Sequence, residues 1–372
     1  MKRQLLLSVL VLFALALMTQ AQSDLPALED LDEGWNAIAT DGVCSAGTPY
    51  QFYARSSPTS DNLLIFFNGG GACWFGQACD IERSPNIHVP FADEESNNPN
   101  LGDGIFALDN AQNPFADYDM VFLPYCTGDV FIGGGETVYT YMAGDEEVSV
   151  TTFHNGFENS MTVLDWTTEA FATPARVFVA GSSAGAIGSS FYAGFVAEHY
   201  GDVPVVLLAD AAGGYNSPDL ADTFRAWDTA SILPDWDVYA GETNDTLTFE
   251  DFYIASANHN DNLTIAQYNT AYDETQVAFT TVLGDPVDSF TLPQRILHHY
   301  IEIESAVDTF YAYTAGGDVH TILRSPVFYT YSVEGVDFRD WVADLAQGNP
   351  VDDVSCVDDV LGCAPAPDDS DE

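Results

Sequence analysis

Beyond the first forty residues the hydrophobic positions fall into short runs that end on turn residues, the pattern of strands buried on both faces. Asn62–Phe67 reads Asn-Leu-Leu-Ile-Phe-Phe and stops at Asn68-Gly69-Gly70-Gly71, and Met120–Leu123 is closed by Pro124. Arg176–Ala180, Val205–Ala209, Thr264–Asn269 and Thr309–Thr314 read as further strands. Met161–Phe171 and Ala186–His199 lie between strands and read as helices. Strands alternating with helical stretches predict an α/β fold with a mainly parallel central sheet covered by helices on both faces. The segment 216–252, rich in Trp, Asp and Thr, breaks this rhythm and is expected to be a cap insertion.

The chain ends add context. Lys2 and Arg3, an apolar stretch from Leu5 to Met18, and Thr19-Gln20-Ala21 have the layout of a signal peptide over 1–21. No cysteine follows that cleavage site. A mobile acidic leader is expected over 22–40, one folded domain over 41–363, and a disordered acidic tail over 364–372. No later segment is long and apolar enough to span a bilayer. Export agrees with an even count of six cysteines, which favours disulfides. Spacing favours Cys73–Cys79 and Cys356–Cys363, which leaves Cys44–Cys126, one of several connectivities that six cysteines allow. No Cys-x-x-Cys or His-x-x-x-His spacing suggests a metal.

Charge narrows the partners. Nine Lys and Arg face 57 Asp and Glu, a formal net charge of −48. Such a surface repels phosphate backbones and anionic lipid, so nucleic acid and stable membrane association are not expected. One reading is a surface suited to a salty medium, where screening relieves self-repulsion, and the other is the composition of the lineage. A polyanionic substrate is repelled at low salt.

The chemistry centres on Gly181-Ser182-Ser183-Ala184-Gly185, a Gly-x-Ser-x-Gly motif between a strand and a helix rich in small residues. A nucleophilic serine needs a sharp turn, small flanking residues and an oriented base. In folds that carry this elbow the chain order is nucleophile, acid, base. Of His199, His259, His298, His299 and His320, the last follows the final strand in a glycine loop and is the favoured base. His298 and His299 fall in an expected helix. Asp273 is the favoured acid, Asp210 the runner-up and Asp261 the third. Backbone amides of Ala184 and of Gly70 or Gly71 are the candidates for an oxyanion hole.

These motifs together resemble the pectin acetylesterase and Notum carboxylesterase family of α/β-hydrolases. The resemblance is carried by Asp41-Gly42-Val43-Cys44, Gly47-Thr48-Pro49-Tyr50, Phe67 to Trp74, Pro124 to Val130, the Ser183 elbow, Asn269 to Asp273 with Gln276, and His320 with Arg324. It implies an α/β-hydrolase fold, Ser183, Asp273 and His320 as the catalytic triad, and Gly70, Gly71 and Ala184 at the oxyanion hole. It also implies the Cys44–Cys126 and Cys73–Cys79 disulfides. Asn68 and Ala72 depart from the acidic residue and tryptophan of many relatives, and 216–252 aligns with none. The expected activity is a secreted serine esterase that needs no cofactor and removes acyl groups, acetyl first among them, from a polysaccharide or a short-chain ester. A lipid deacylase is one alternative. A secreted carbohydrate-binding protein on an inactive hydrolase fold, stacking sugars on Trp227, Trp236 and Tyr239, is the other.

Overall fold

A computed structural model describes residues 25–356, apart from 84–86, 94, 96, 289 and 290. The expected signal peptide (1–21), the acidic tail (364–372) and Cys363, the expected partner of Cys356, lie outside the described residues.

Ten strands of more than two residues occur in chain order: β1 (Asn36–Val43), β2 (Pro49–Arg55), β3 (Asn62–Phe67), β4 (Asp119–Leu123), β5 (Gly135–Ala143), β6 (Glu146–His154), β7 (Arg176–Ser182), β8 (Val205–Asp210), β9 (Leu263–Thr270) and β10 (Phe310–Ala315). Short β11 (Ser332–Val333), β12 (Val336–Asp337) and β13 (Val354–Ser355) follow. The central sheet has nine strands in the order β1-β2-β4-β3-β7-β8-β9-β10-β13. It is parallel from β4 to β13 and antiparallel only where β2 meets β1 and β4. β5 and β6 form a separate antiparallel hairpin.

Alternation along each strand divides the apolar residues between two layers. Leu63, Ile65 and Phe67 of β3 join the larger core, while Leu64 and Phe66 join the smaller one. Into the larger core pack α2 (Gly156–Ala170), α3 (Ala184–Tyr200), α4 (Leu220–Trp227), α5 (Phe249–His259) and α7 (Leu292–Glu304), with short α1 (Gly76–Cys79) and α6 (Glu274–Val282) beside the loops. The smaller core is closed by α8 (Phe338–Gln347) and the turn Gly104–Phe106. The outcome is a mostly parallel sheet flanked by helices, consistent with an α/β-hydrolase-like fold.

Two expectations need correction. Residues 25–40 are packed against the domain rather than free of it. Leu25, Leu28 and Leu31 lie on the larger core, the Trp166 indole donates to Pro26 O at 2.7 Å, and β1 begins at Asn36. The exposed Glu29, Asp30, Asp32 and Glu33 masked that three-residue apolar spacing. The second concerns the aromatics of the cap. Trp227, Trp236 and Tyr239 are buried at 2%, 6% and 5% exposure, so they offer no surface for stacking sugars.

Two disulfides tie the loops above the sheet. Cys44–Cys126 spans a sequence separation of 82 and Cys73–Cys79 one of 6.

Candidate active site

Parallel register brings the carboxyl ends of β3, β7, β8, β9 and β10 to one edge, where crossover loops leave room for a site. Phe67 pairs with Gly181, Ser182 with Asp210, and Asp210 with Tyr268. Ser183 sits between β7 and α3 with φ at 55°, a strained value that a surrounding structure must enforce. Its amide donates to Asp210 O at 2.7 Å. The flanking glycines leave no room for a side chain. A Cβ on Gly181 would lie 2.1 Å from Gly185 O, and one on Gly185 would lie 2.1 Å from Phe67 O.

His320 reaches the serine from the loop after β10, its Nε2 2.9 Å from Ser183 Oγ. The other ring nitrogen, Nδ1, lies 2.6 Å from Asp273 Oδ2. The second oxygen of Asp273 caps α6, accepting from the amides of Thr275 at 2.9 Å and Gln276 at 3.0 Å. That fixes the fully buried carboxylate with Oδ2 turned to the imidazole. A carboxylate at Nδ1 holds the proton there and leaves Nε2 as an acceptor for the serine hydroxyl. The loops carrying acid and base are tied together by Tyr272 N donating to Gly317 O at 3.0 Å and Thr270 Oγ1 to Val319 O at 3.0 Å.

The glycine loop after β3 is held by a segment with no sequence signal. Ile87–Val89 bridges it, Ala72 N donating to Ile87 O at 3.0 Å and Val89 N to Gly70 O at 2.7 Å. These bonds consume Ala72 N–H. The amides of Gly70, Gly71 and Ala184 have no acceptor among the described residues. Gly71 has φ +75, and a Cβ there would meet Ile87 O at 2.0 Å, so glycine is required.

The other candidates fall elsewhere. Asp261 lies exposed in a turn, and His199 is exposed in the last turn of α3. His259 pairs with Glu198 at 3.3 Å and stacks on Trp236, while His298 is exposed. His299 is buried against Glu250 at 2.7 Å. Asp210 lies directly beneath the site but does not contact the imidazole edge that Asp273 holds. Its carboxylate accepts from Ser182 Oγ at 3.1 Å and from the amides of Ile322 and Leu323, each at 2.9 Å. Burial pushes it up to about 6, and those hydrogen bonds oppose the shift. Sequence reasoning ranked it as a spare acid and missed this bracing role.

Two recesses open beside Ser183. One is an apolar pocket with about 40 Å³ of free space, walled by Trp74, Val130, Ile187, Trp227, Phe249 and Phe279. Trp227 and Phe249 come from the cap segment. The other is an open polar groove of about 380 Å³ bordered by Asn68, Asn97, Asp103, Thr275 and Arg324. Arg324 is held in that groove by both Asp103 oxygens, at 3.1 and 3.2 Å, and donates to Asn68 Oδ1 at 3.0 Å. Asn68 accepts from Arg324 while donating to Asn97 at 2.8 Å. Cys73, Cys79 and His154 come within metal-ligand reach of one another. The two sulfurs are bonded to each other, and the imidazole is already hydrogen-bonded at both nitrogens.

The pectinacetylesterase family model matches residues 30–226. The chain belongs to the pectinacetylesterase family. That match contains Ser183 and the glycine loop, whereas Asp273 and His320 lie beyond it. Among curated relatives, the human palmitoleoyl-protein carboxylesterase NOTUM is 27% identical over 212 residues, 52% of this chain and 40% of that protein. The Schmidtea mediterranea palmitoleoyl-protein carboxylesterase NOTUM is 32% identical over 155 residues, 40% of this chain and 27% of its own length. A zebrafish protein named inactive palmitoleoyl-protein carboxylesterase notum1b is 31% identical over 92 residues, 24% of this chain and 66% of its own. The matched stretch thus spans two fifths or less of the length of the first two. Membership of the family supports a carboxylesterase or deacylase. No described helix is long and apolar enough to cross a membrane.

Proposed function

We propose that the protein is a secreted serine carboxylesterase in which Ser183 attacks the ester, His320 moves the proton and Asp273 orients the imidazole. The observation that carries this reading is the hydrogen-bonded series Ser183–His320–Asp273, with distances of 2.9 and 2.6 Å, opening onto an apolar pocket on one side and a polar groove on the other.

In this mechanism His320 Nε2 takes the Ser183 proton as Oγ bonds to the ester carbonyl carbon. The carbonyl oxygen becomes an oxyanion that accepts from the amides of Gly71, Ala184 and Gly70. Each such donor is worth about 2.7–4 kcal/mol in the transition state. His320 then gives its proton to the departing alkoxide, and the alcohol leaves. Water, deprotonated by the same imidazole, attacks the acyl-enzyme and releases the carboxylic acid, restoring Ser183. The amino end of α3 adds a favourable field at the oxyanion.

The acyl group belongs in the apolar pocket and the alcohol in the polar groove. A pocket with aromatic walls favours an acyl group larger than acetyl. Acetyl was the first expectation from sequence, and a lipid acyl chain is the natural extension of the palmitoleoyl esterases named among the relatives. In the groove Arg324 is already neutralised by Asp103, and the chain's charge of −48 surrounds it, so a neutral hydroxylated alcohol such as a sugar fits better than a uronate polymer.

The test is hydrolysis of p-nitrophenyl esters from acetate to palmitate by the purified protein and by Ser183→Ala. Turnover that peaks above acetate and disappears in the variant supports the reading. A folded protein that turns over none of these esters overturns it in favour of a binding protein on an inactive hydrolase fold.

A further inference from the structure

A third recess lies beyond the two that open beside Ser183. It is an open cleft of about 480 Å³ between the segment 87–90 and one face of α6, walled by Ile87, Val89, Pro90, Ala278, Phe279 and Val282. Ala278 and Val282 are exposed, so apolar surface faces solvent at its rim. Among the described residues the lining carries no charged side chain, in a chain where 57 of 372 residues are Asp or Glu. Its one titratable member, His88, is buried against Ser45 at 2.9 Å, and burial pushes the imidazole down to about 4, so it stays neutral. An uncharged, unfilled cleft on so acidic a surface is a place for an apolar group.

Position decides which half of the ester the cleft takes. It shares Gly70, Gly71, Val89 and Phe279 with the polar groove, but only Gly71 and Phe279 with the apolar pocket. His320, which hands its proton to the leaving alkoxide, borders the groove and neither of the other two recesses. The open way from the reacting atoms into the cleft therefore runs along the alcohol side. One face of α6 shows the same change of character. Thr275, Phe279 and Val282 follow at helical spacing, with Thr275 in the groove, Phe279 at the junction and Val282 in the cleft. Val282 lies about 10 Å along the helix axis from Thr275. Resting on the esterase reading, we infer that the alcohol half of the substrate is amphipathic: its hydroxylated part lies in the groove by Arg324, and an apolar extension lies in the cleft between the segment 87–90 and α6.

The test fixes the acyl group and varies the alcohol: ethyl, butyl, hexyl and octyl butyrate, each below its solubility limit, with the released butyrate followed by titration. The expected result is a kcat/KM that rises roughly twofold per added methylene toward octyl, less than the roughly fourfold of full burial because the cleft is open. Ala278→Gln and Val282→Gln, at exposed helix positions that accept a long polar side chain, should flatten that rise. No rise in the wild-type protein, or a rise that both variants leave intact, overturns the inference. So does a shift of the preferred acyl length along the p-nitrophenyl series in either variant, which gives the cleft to the acyl chain. Turnover of ethyl butyrate by the same wild-type sample leaves the esterase reading standing in each of these cases. If no ester is turned over, both fall.

Discussion

The carboxylate of Asp210 accepts the backbone amides of Ile322 and Leu323, the second and third residues after His320, and the carbonyl of the same residue accepts the amide of Ser183. One buried residue at the end of β8, through its carbonyl and its carboxylate, therefore sets the spacing between the proposed nucleophile and the loop that carries its base. A proton on His320 favours the ionised Asp210 carboxyl, which lies beside Tyr268.

Asp210→Asn keeps the shape but offers one acceptor oxygen in place of two. Hydrogen bonds to a charged group are worth about 1.5–3 kcal/mol, so kcat/KM on a small ester should fall by roughly 10–100-fold. The profile against pH separates positioning from simple damage. Burial raises this carboxyl to about 6, so below that pH the wild-type group is itself neutral. The ratio of wild-type to variant activity should be largest above about pH 7 and narrow toward about pH 5. A ratio independent of pH removes the charge from the argument.

Gly71→Ala tests the oxyanion loop. The new Cβ would lie 2.0 Å from Ile87 O at a backbone φ of +75, so either the loop or the Ile87–Val89 segment must move. Loss of one aligned donor predicts a fall in kcat of about 10²–10³, with KM changed far less. The measurement is steady-state kinetics on p-nitrophenyl butyrate, and near-normal kcat would take Gly71 out of the hole.

The parts of the fold legible in sequence are those where one rule dominates. β3, β4 and β7 to β10 are buried on both faces, so their sequences are apolar runs that period and turn residues delimit. β1 carries Thr40 and Asp41 within a half-exposed strand, β5 alternates half-buried Thr and Tyr with exposed Glu and Val, and β6 alternates half-buried Val with exposed Ser and Thr, so none resembles a strand buried on both faces. The cap folds through aromatic contacts such as Phe224 on Phe249 and Phe252 across short helices, which leave no long periodic signal. At the site, chain order and strand ends singled out Ser183, Asp273 and His320, the three side chains that meet within hydrogen-bond distance. Asp210 was visible only as a carboxylate at a strand end. Its bonds run to backbone amides of a loop 112 and 113 residues away, and no side-chain pattern encodes such a contact.

A second buried carboxyl controls stability. Asp129 is fully buried, and burial pushes its carboxyl up to about 6 although Thr127 and the amides of Gly156 and Phe131 bond to it. A carboxyl raised on folding holds its proton longer in the native state, so its contribution is present below the ordinary Asp range and is lost as pH rises through about 6. The loss is on the order of 3 kcal/mol. In denaturant melts, the stability advantage of wild type over Asp129→Asn should therefore shrink between about pH 4 and about pH 7. An advantage that widens over this range would falsify the assignment.

The formal charge of −48 predicts a salt response of definite sign. Raising ionic strength from about 0.1 M to about 1 M shortens the screening length from about 10 to about 3 Å, which weakens repulsion among exposed carboxylates more than it weakens the few arginine pairs. The thermal midpoint should rise with NaCl. A midpoint that falls would mean that those pairs, Arg324 with Asp103 among them, outweigh the surface repulsion.

Acyl length should be set by Trp227. The ring is buried, packs edge-on against Trp74 at 6.4 Å, and anchors its indole N–H on Cys73 O at 2.8 Å, inside the short Cys73–Cys79 loop. It thus closes the apolar pocket from the cap side and couples that wall to the segment following the glycine loop. Trp227→Leu opens space and should move the preferred p-nitrophenyl ester to a longer acyl chain. Trp227→Phe keeps most of the wall, loses only the hydrogen bond, and should leave the preferred length unchanged at a stability cost of about 1 kcal/mol. The readout is the ratio of kcat/KM along the ester series, which a uniform loss of folded protein does not alter. An unchanged ratio in Trp227→Leu would place the acyl chain outside this pocket, and the polar groove along Asn68 and Arg324 would then be the acyl side.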